Sequence, residues 1–388
     1  MPATSLSPAP AATHPLRLFT RVCWLVLGVV FMFSGLVKLN DPVGTAYKLE
    51  EYFEVFTTDV PALGGLFDWL KDSSRFLSIL LSSLEVILGL ALLLRWFLRQ
   101  TLWALLALLV FFAFLTFYSA YFKRVTDCGC FGDFIKLTPW SSFSKDMVLL
   151  GLWAVVFFNQ RFLRHTFVRG MPALMTMTIA GAFIIGFGVR ALGHLPYVDL
   201  LPYKVGNNIA QQMKAPEAPR YRYTFVRNGQ TKQAEEFPTD STWKYQEGSM
   251  ELLNPATSKA AITDFVVTDP DGNDVTQQVL TGNKLILILQ NTNKADRERF
   301  EQLNKLFADA AHSRKKIDVL TITSTSRGKF DAFRHEVNLA TPFYFADATV
   351  LKTIIRSNPG LLVLENGTVI AKYHYHDIPA LFQVEKAL

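Results

Sequence analysis

Five apolar stretches occupy the first half of this 388-residue chain and restrict its fold more than any other feature. They run over Val22–Leu39, Phe76–Leu94, Leu102–Tyr121, Phe143–Phe158 and Pro172–Leu192. A helix needs about 20 apolar residues to cross the roughly 30 Å of hydrocarbon in a bilayer, and the stretches reach or approach this length. Charged residues make up only 19% of the chain, which is low for a water-soluble protein. The first half is therefore predicted to be a membrane-embedded bundle of helices.

The basic residues around these stretches predict how the chain crosses the membrane. The segments on the same side of the membrane as the N-terminus carry no acidic residue and seven arginines, namely Arg17, Arg21, Arg95, Arg99, Arg161, Arg164 and Arg169. The opposite segments, 38–75 and 121–146, carry eight basic and ten acidic residues. Because basic loops stay on the cytoplasmic side, we predict a bacterial cytoplasmic (inner) membrane protein with a cytoplasmic N-terminus and an extracytoplasmic C-terminal half. The net charge of +6 then arises from the orientation of the chain in the membrane. Membrane lipid is expected as a partner, and nucleic acid is not.

Cys128 and Cys130 flank Gly129 between the third and fourth stretches, on the predicted extracytoplasmic side where disulfides persist. Gly129 supplies the backbone freedom that so small a ring needs, and a strained disulfide is readily reduced. Three roles are open: a redox-active pair, a static disulfide that closes the loop, or two ligands to a metal. No histidine lies in either extracytoplasmic loop and the flanking aspartates are hard ligands, so no metal site is predicted.

Glu85 lies in the middle of the second stretch, where an uncompensated carboxylate is costly. It is predicted to be the only acidic residue inside a span. Lys38, at the outer end of the first stretch, is the nearest basic candidate by depth. Two roles are open for Glu85: a structural ion pair or interhelical hydrogen bond, and a proton-handling or quinone-contacting group.

Several of these residues together form a pattern that resembles the DoxX-like and MauE-like membrane proteins. The pattern comprises Phe33-Ser34-Gly35-Leu36-Val37-Lys38 with Asp41-Pro42, Glu85 with Gly89, and Cys128-Gly129-Cys130-Phe131-Gly132-Asp133. The resemblance covers about residues 17–160 and implies a four-helix bundle, which the fifth span at 171–192 links to the rest. It also implies a redox-linked role, because DoxX relatives include subunits of quinone-linked sulfur oxidation and MauE is tied to disulfide formation. Membrane thiol oxidases of the quinone-linked kind typically use two cysteine pairs, whereas this chain has one.

The second half follows a different pattern. Residues 193–261 are predicted to be a linker with a small β element, in which Tyr221–Arg227 enters an Asn228-Gly229 hairpin turn. From residue 262 onward strands and helices alternate, with strands predicted at Asp264–Thr268 and at Leu285–Gln290 and a helix at Asp296–Ala311. This order resembles the thioredoxin-like fold over about residues 262–388, in an extracytoplasmic α/β domain.

The resemblance implies a cis-proline at Asn358-Pro359, and these two residues are the candidates for binding a partner. Redox members of that fold carry a Cys-x-x-Cys where this chain reads Asn291-Thr292-Asn293-Lys294, so the domain is not expected to exchange disulfides itself. His374 and His376 alternate along the last predicted strand, a pattern that favours a solvated edge strand over a metal site.

We therefore expect a membrane protein with a redox-linked role, as a thiol–disulfide oxidoreductase or in quinone-linked electron transfer. Cys128, Cys130 and Glu85 are the candidate catalytic residues, and Lys38 with Glu85 is the candidate site for a quinone. The cysteine-free thioredoxin-like domain would recruit an extracytoplasmic protein client or redox partner. The alternative is a non-enzymatic assembly or partner-binding protein in which the Cys128–Cys130 disulfide is structural.

Overall fold

The computed structural model describes residues 14–125, 137–163, 170–255 and 257–388. The chain divides after Val198 into a helical unit and an α/β unit. The helices of the helical unit are α1 His14–Asn40, α2 Pro42–Asp59, α3 Gly64–Asp72, α4 Ser74–Leu94, α5 Leu98–Phe122, α6 Pro139–Phe158 and α7 Met171–Gly193. Short 3-10 turns lie at Pro61–Leu63 and Gln160–Leu163. Within the described residues, α1, α4, α5, α6 and α7 are long and apolar enough to cross a membrane, so the five predicted spans are confirmed as helices.

Close contact between α1 and α4 depends on glycine. A Cβ atom at Gly35 would lie 2.8 Å from the carbonyl oxygen of Ser82, and one at Gly89 would lie 2.9 Å from the backbone nitrogen of Met32. These contacts leave no room for a side chain, so the two antiparallel helices approach backbone to backbone. That approach brings residues near the end of α1 level with the middle of α4.

Helix α6 begins four residues earlier than the apolar stretch that predicted it. Thr138 caps the helix by accepting a hydrogen bond from the backbone N–H of Ser141 at 3.3 Å. Pro139 occupies the first turn, where its missing N–H costs nothing. The polar residues at the start of α6 are therefore helical, and Asp146 lies two turns inside the helix.

In the α/β unit a five-stranded sheet forms the core. Its strands are β5 Asn283–Leu289, β6 Ile317–Thr323, β7 Phe343–Phe345, β8 Gly360–Glu365 and β9 Thr368–His374, in the order β9-β8-β5-β6-β7. β5, β6 and β7 are parallel, β8 is antiparallel to β5, and β9 is antiparallel to β8 and so runs in the same direction as β5. The accompanying helices are α8 Ile209–Gln212, α9 Thr276–Val279, α10 Phe300–Ala311, α11 Arg327–Glu336, α12 Ala348–Ile354 and α13 Leu381–Ala387.

This arrangement is the thioredoxin-like topology, so the predicted fold class is confirmed. A parallel β5-α10-β6 unit is followed by the β8–β9 hairpin and a final helix, and the Asn358–Pro359 peptide bond before β8 is cis. β5 is buried along nearly its whole length, as its unbroken apolar sequence requires. A separate small sheet contains β1 Tyr221–Arg227, β2 Gln230–Ala234, β3 Lys244–Tyr245 and β4 Glu251–Leu252, with Asn228 and Gly229 at positive φ in the predicted turn.

Two predicted elements of this unit are wrong in detail. Asp264–Thr268 is not a strand, because only Thr268 makes isolated bridges, to Asp274 and Phe345. The helix predicted from Asp296 begins at Phe300, and a 3-10 turn at Thr292–Lys294 precedes it. The side chain of Asn291 accepts a hydrogen bond from the backbone of Asn293 at 2.8 Å, and this local bond competes with helix formation.

Candidate functional site

A buried ion pair joins α1 to α4. Lys38 Nζ lies 2.5 Å from Glu85 Oε1, and the two side chains are 7% and 2% exposed. The glycine contacts between the helices bring the two residues together although 46 residues separate them in the chain. A buried charge is tolerated only when it is paired. Lys38 therefore makes the burial of Glu85 possible, and Glu85 makes the burial of Lys38 possible.

The surroundings of the pair are both aromatic and polar. The Lys38 ammonium lies 4.3 Å from the centroid of the Phe112 ring, which stabilises its charge from α5. Two cavities flank the pair, and Lys38, Glu85 and Phe112 line both. Cavity A measures about 40 Å³ and is also lined by Tyr52 and Ser82, while cavity B measures about 20 Å³ and is also lined by Ser34, Leu109, Asp146 and Leu149.

Asp146 is a second buried carboxylate, and sequence reasoning missed it. Its side chain is 2% exposed, accepts a hydrogen bond from Thr116 Oγ1 at 2.8 Å, and lies 2.8 Å from Lys145 Nζ. The expectation that Glu85 is the only acid inside a span is therefore wrong. Asp146 already lies within the fourth apolar stretch, Phe143–Phe158, and the start signal Thr138-Pro139 places the beginning of the helix still earlier.

Lys38, Glu85, Thr116 and Asp146 lie toward the same end of the bundle. α5 ends at Phe122, six residues after Thr116, and α6 begins at Pro139, seven residues before Asp146. At about 1.5 Å per helical residue, this group lies roughly 10 Å inside the end from which the α5–α6 connection leaves. Cys128 and Cys130 belong to that connection, and both lie outside the described residues. Cys23 is a free, buried thiol in α1.

The two cavities test whether a quinone fits beside Lys38 and Glu85. A cavity of about 150 Å³ binds a benzene ring, whereas about 10–15 Å³ is enough for one water molecule. At about 40 and 20 Å³, cavities A and B match one to a few water molecules. The described residues around the pair therefore do not fit a quinone ring.

In the α/β unit, the side chain of Asn358 joins the cis-proline loop to the end of β5. Its Oδ1 accepts hydrogen bonds from the backbone N–H groups of Gln290 at 2.9 Å and Asn291 at 3.4 Å, and its Nδ2 donates to Asn291 O at 2.8 Å. Pro359 is buried, while Asn291, Asn293 and Lys294 are exposed. The surface available to a partner here is thus the 291–294 segment with Asn358, and the pyrrolidine ring of Pro359 lies beneath it.

His374 and His376 differ in their surroundings. His374 ends β9 and is 3% exposed, and its Nδ1 lies 3.2 Å from the backbone nitrogen of His376, which lies beyond the strand. The prediction of a solvated strand face is therefore wrong for His374. Within the described ranges, no group of three or more histidine, cysteine, aspartate or glutamate side chains is arranged to hold a metal.

Two acidic groups in the loop before α9 have lowered pKa values. The Asn273 side chain and backbone donate hydrogen bonds to Asp269 and lower the pKa of its carboxyl. The hydroxyl and backbone of Thr276 do the same for Asp274. Burial, reinforced by the charge of Asp264, raises the pKa of Tyr203. These groups organise loops of the α/β unit.

Fold and site define a polytopic membrane protein with a buried charged cluster in its helical unit and a thioredoxin-like domain without the cysteine pair. The family model "Methylamine utilisation protein MauE" matches residues 16–159, which span α1 to α6. The helical unit is thus similar to MauE, and no curated protein gives a significant match to the chain. The DoxX part of the expected resemblance stays a prediction.

Solved structures similar to the chain are thioredoxin-like proteins. They include a thiol peroxidase from Chromobacterium violaceum, with 16% identity and TM-score 0.25, covering 32% of this chain and 82% of that one. A "putative protein disulfide isomerase" from Bacteroides thetaiotaomicron has 14% identity and TM-score 0.25, covering 32% and 82%. A "putative electron transfer protein" from Aquifex aeolicus VF5 has 15% identity and TM-score 0.26, covering 32% and 90%. The assignment of the fold rests on the strand order and directions described above.

Proposed function

We propose that this membrane protein exchanges disulfides with an extracytoplasmic protein client through Cys128 and Cys130. The observation that carries the proposal is the buried Lys38–Glu85 pair, lying with Asp146 inside the end of the bundle that leads into the Cys128–Cys130 segment. A structural ion pair needs no hydrated surroundings, whereas cavities A and B have room for water beside this one. An ionisable group inside a membrane-spanning helix is a functional candidate by default.

The chemistry is a balanced thiol–disulfide exchange. A client thiolate attacks one sulfur of the Cys128–Cys130 disulfide, forms a mixed disulfide and releases the other cysteine as a thiolate. A second client thiolate then completes the client disulfide and releases the attacked cysteine. Two electrons pass from the client to the pair, the client thiols lose two protons, and the reduced pair takes up two. The reverse reaction with a protein disulfide regenerates the oxidised pair, so the exchange runs without a quinone.

In this proposal Glu85 holds the proton that moves with the exchange. Its carboxylate is buried and paired with Lys38, and both cavities that it lines have room for water. A positioned carboxylate that alternates between charged and neutral forms is a general acid–base group. Lys38 stabilises the charged form, and Phe112 holds the ammonium in place when the carboxylate is neutral.

The thioredoxin-like domain recruits the client in this proposal. Its 291–294 segment presents exposed Asn291, Asn293 and Lys294, and the hydrogen bonds of Asn358 hold that segment in position. A pre-organised surface loses little conformational entropy on binding. The domain therefore binds while the cysteine pair of the helical unit performs the exchange.

The proposal is tested on the full-length chain in lipid nanodiscs by alkylating thiols before and after incubation with a dithiol peptide. Mass spectrometry should show Cys128 and Cys130 changing from disulfide to dithiol. Cys128→Ser should abolish the exchange, whereas Cys23→Ser is the matched control and should leave it intact, because Cys23 is buried in α1. A Cys128–Cys130 pair that never changes state would sink the proposal.

Orientation is part of the proposal, because the exchange requires an oxidising compartment. The proposal takes a cytoplasmic N-terminus and a cysteine pair outside the bacterial inner membrane, and the arginine-rich loops support this orientation. C-terminal fusions to alkaline phosphatase and to a fluorescent protein test this orientation. Phosphatase activity is expected, and fluorescence without phosphatase activity would reverse the assignment.

A non-enzymatic binding protein is the second candidate. It is favoured by the thioredoxin-like domain, which has Asn291-Thr292-Asn293-Lys294 at the position of the Cys-x-x-Cys. The side chain of Asn358 holds this segment by hydrogen bonds, and the segment contains no thiol. In that case Cys128→Ser would lower stability and leave client binding unchanged. The alkylation experiment separates the two candidates.

A further inference from the structure

Four helices each bring one polar side chain to the same level of the bundle. Lys38 comes from α1, Glu85 from α4, Thr116 from α5 and Asp146 from α6. Direct contacts join them only in pairs: Lys38 with Glu85 at 2.5 Å, and Thr116 with Asp146 at 2.8 Å. Cavity B lies between the pairs, because Lys38, Glu85 and Asp146 all line it. The two carboxylates therefore face a common space.

Both cavities have the size and the polarity that bound water requires. Their volumes, about 40 and 20 Å³, exceed the roughly 10–15 Å³ that one water molecule needs. Ser82 lines cavity A and is fully buried, and among the described residues its Oγ has no hydrogen-bond partner. A buried hydroxyl without a partner is costly, so this group independently indicates a water molecule in cavity A.

Each cavity has one partly exposed lysine in its lining. Lys48 of α2 lines cavity A, and its side chain is 30% exposed. Lys145 lines cavity B, is 23% exposed, and pairs with Asp146. Between these two lysines, Lys38, Glu85 and Phe112 separate the cavities. Glu85 thus lies between two cavities that are each large enough for water.

We propose that cavities A and B form a hydrated proton path, in which Asp146 is a second proton-carrying group that exchanges protons with Glu85 through water in cavity B. This deepens the proposed function and rests on its proton-handling role for Glu85. A proton leaves one carboxyl oxygen, passes along the water in cavity B and binds the other carboxylate, so no redox partner is needed. Thr116 and Lys145 are positioning residues that hold the Asp146 carboxylate toward the cavity.

The first test detects the water. Full-length protein in nanodiscs is exposed to X-ray-generated hydroxyl radicals, which oxidise buried side chains where water is bound beside them. Leu109 of cavity B should be oxidised on the order of tenfold faster than the similarly buried Leu27 and Leu105, which line neither cavity. Tyr52 of cavity A should be oxidised faster, by a similar factor, than the equally buried Tyr203, which also lines neither cavity. Equal rates for cavity-lining and control residues would overturn the path.

Two further variants separate the cavities. Ser82→Val fills cavity A and should protect Tyr52 while leaving the oxidation of Leu109 unchanged. Ser34→Val fills cavity B and should protect Leu109 while leaving Tyr52 unchanged. Loss of both signals in both variants would mean that the cavities are not separate compartments as described.

The second test follows the proton. A caged proton source produces a pH jump, and infrared spectroscopy records the carboxyl band of Glu85, assigned by its loss in Glu85→Gln. Asp146→Asn should slow the response of this band by about tenfold or more, and Asp146→Glu should restore it. A Glu85 band that does not respond in the native chain, or one equally fast in Asp146→Asn, would refute the relay. Neither result depends on Cys128 or Cys130. If these two cysteines do not change state, the disulfide exchange is refuted and the proton relay is not.

Discussion

Replacing Glu85 with leucine leaves the Lys38 ammonium inside the bundle without its carboxylate. Lys38 is 7% exposed, and of its described contacts the Phe112 ring at 4.3 Å would remain. Such a ring offsets part of the lost attraction, about 2 kcal/mol when desolvated. Removing one partner of a buried ion pair typically costs about 3–5 kcal/mol of unfolding free energy. We expect Glu85→Leu to fall in this range, and Lys38→Met to be comparably destabilised.

The double variant distinguishes the pair from its separate residues. Lys38→Met with Glu85→Leu removes both charges and leaves apolar side chains between α1 and α4, and such replacements are often neutral or stabilising. The double variant should therefore be more stable than either single variant, which corresponds to a coupling energy larger than the about 3–5 kcal/mol cost of either single substitution. Glu54→Leu is the matched control: Glu54 lies 3.1 Å from Lys71 on the surface, where pairs contribute about 0–1 kcal/mol.

The assay is equilibrium unfolding of the full chain in mixed micelles, where the fraction of denaturing detergent is raised and tryptophan fluorescence records the transition. The unfolding free energies lost in the two single variants could simply add up in the double variant, or Glu85→Leu could cost as little as Glu54→Leu. Either result would show that the two charges do not depend on each other. The premise that pairing makes the buried charges tolerable would then be refuted.

Three further predictions concern other parts of the chain. Gly35→Ala should cost about 1–3 kcal/mol in the same assay, because its Cβ would press on Ser82 O, whereas Gly186→Ala, with open space around it, should cost nothing. Asn358→Ala should cost about 1–3 kcal/mol and increase hydrogen exchange at Gln290 and Asn291, which lose its bonds; unchanged exchange would contradict this role. The pKa of Asp269 is lowered in the folded state by hydrogen bonds from Asn273, so its stabilisation is complete above the unfolded value of about 3.9 and is lost as pH falls through the folded value. Asp269→Asn should therefore increase hydrogen exchange over 265–276 at neutral pH, and the difference from the native chain should vanish in acid.

The helical unit shows what hydropathy predicts and where it stops. The five spans follow from length and composition, because hydrocarbon admits backbone only when its hydrogen bonds are internal. The depth of Lys38 and Glu85 along their helices suggested a pairing, and the structure brings them together. Asp146 was missed although it lies within the fourth apolar stretch, because residues 143–146 were also counted with the adjoining extracytoplasmic segment. The Thr138 cap places the start of α6 earlier still. A local capping signal decided the start of the helix.

The thioredoxin-like domain was predictable in order and less so at element ends. Its central strands are unbroken apolar runs, and the cis bond lies at Asn358-Pro359 as the resemblance implied. The strand expected at Asp264–Thr268 failed because one residue pairs there, and strand formation depends on a neighbour that the local sequence does not reveal. The start of α10 moved to Phe300 because side-chain hydrogen bonds at Asn291 shape the preceding turn.

The sequence by itself determined the class of this protein: helices that span a membrane, then a thioredoxin-like domain without its cysteines. Composition and periodicity indicate the spans and the alternation of strands and helices, since they state which surfaces must avoid water, and the resemblance implies the thioredoxin-like fold. Only the tertiary structure decided that Lys38 meets Glu85, that Asp146 is buried beside them and that water-sized cavities separate the two carboxylates. Such contacts depend on which helix faces approach one another, and here glycines at the α1–α4 contact set that approach.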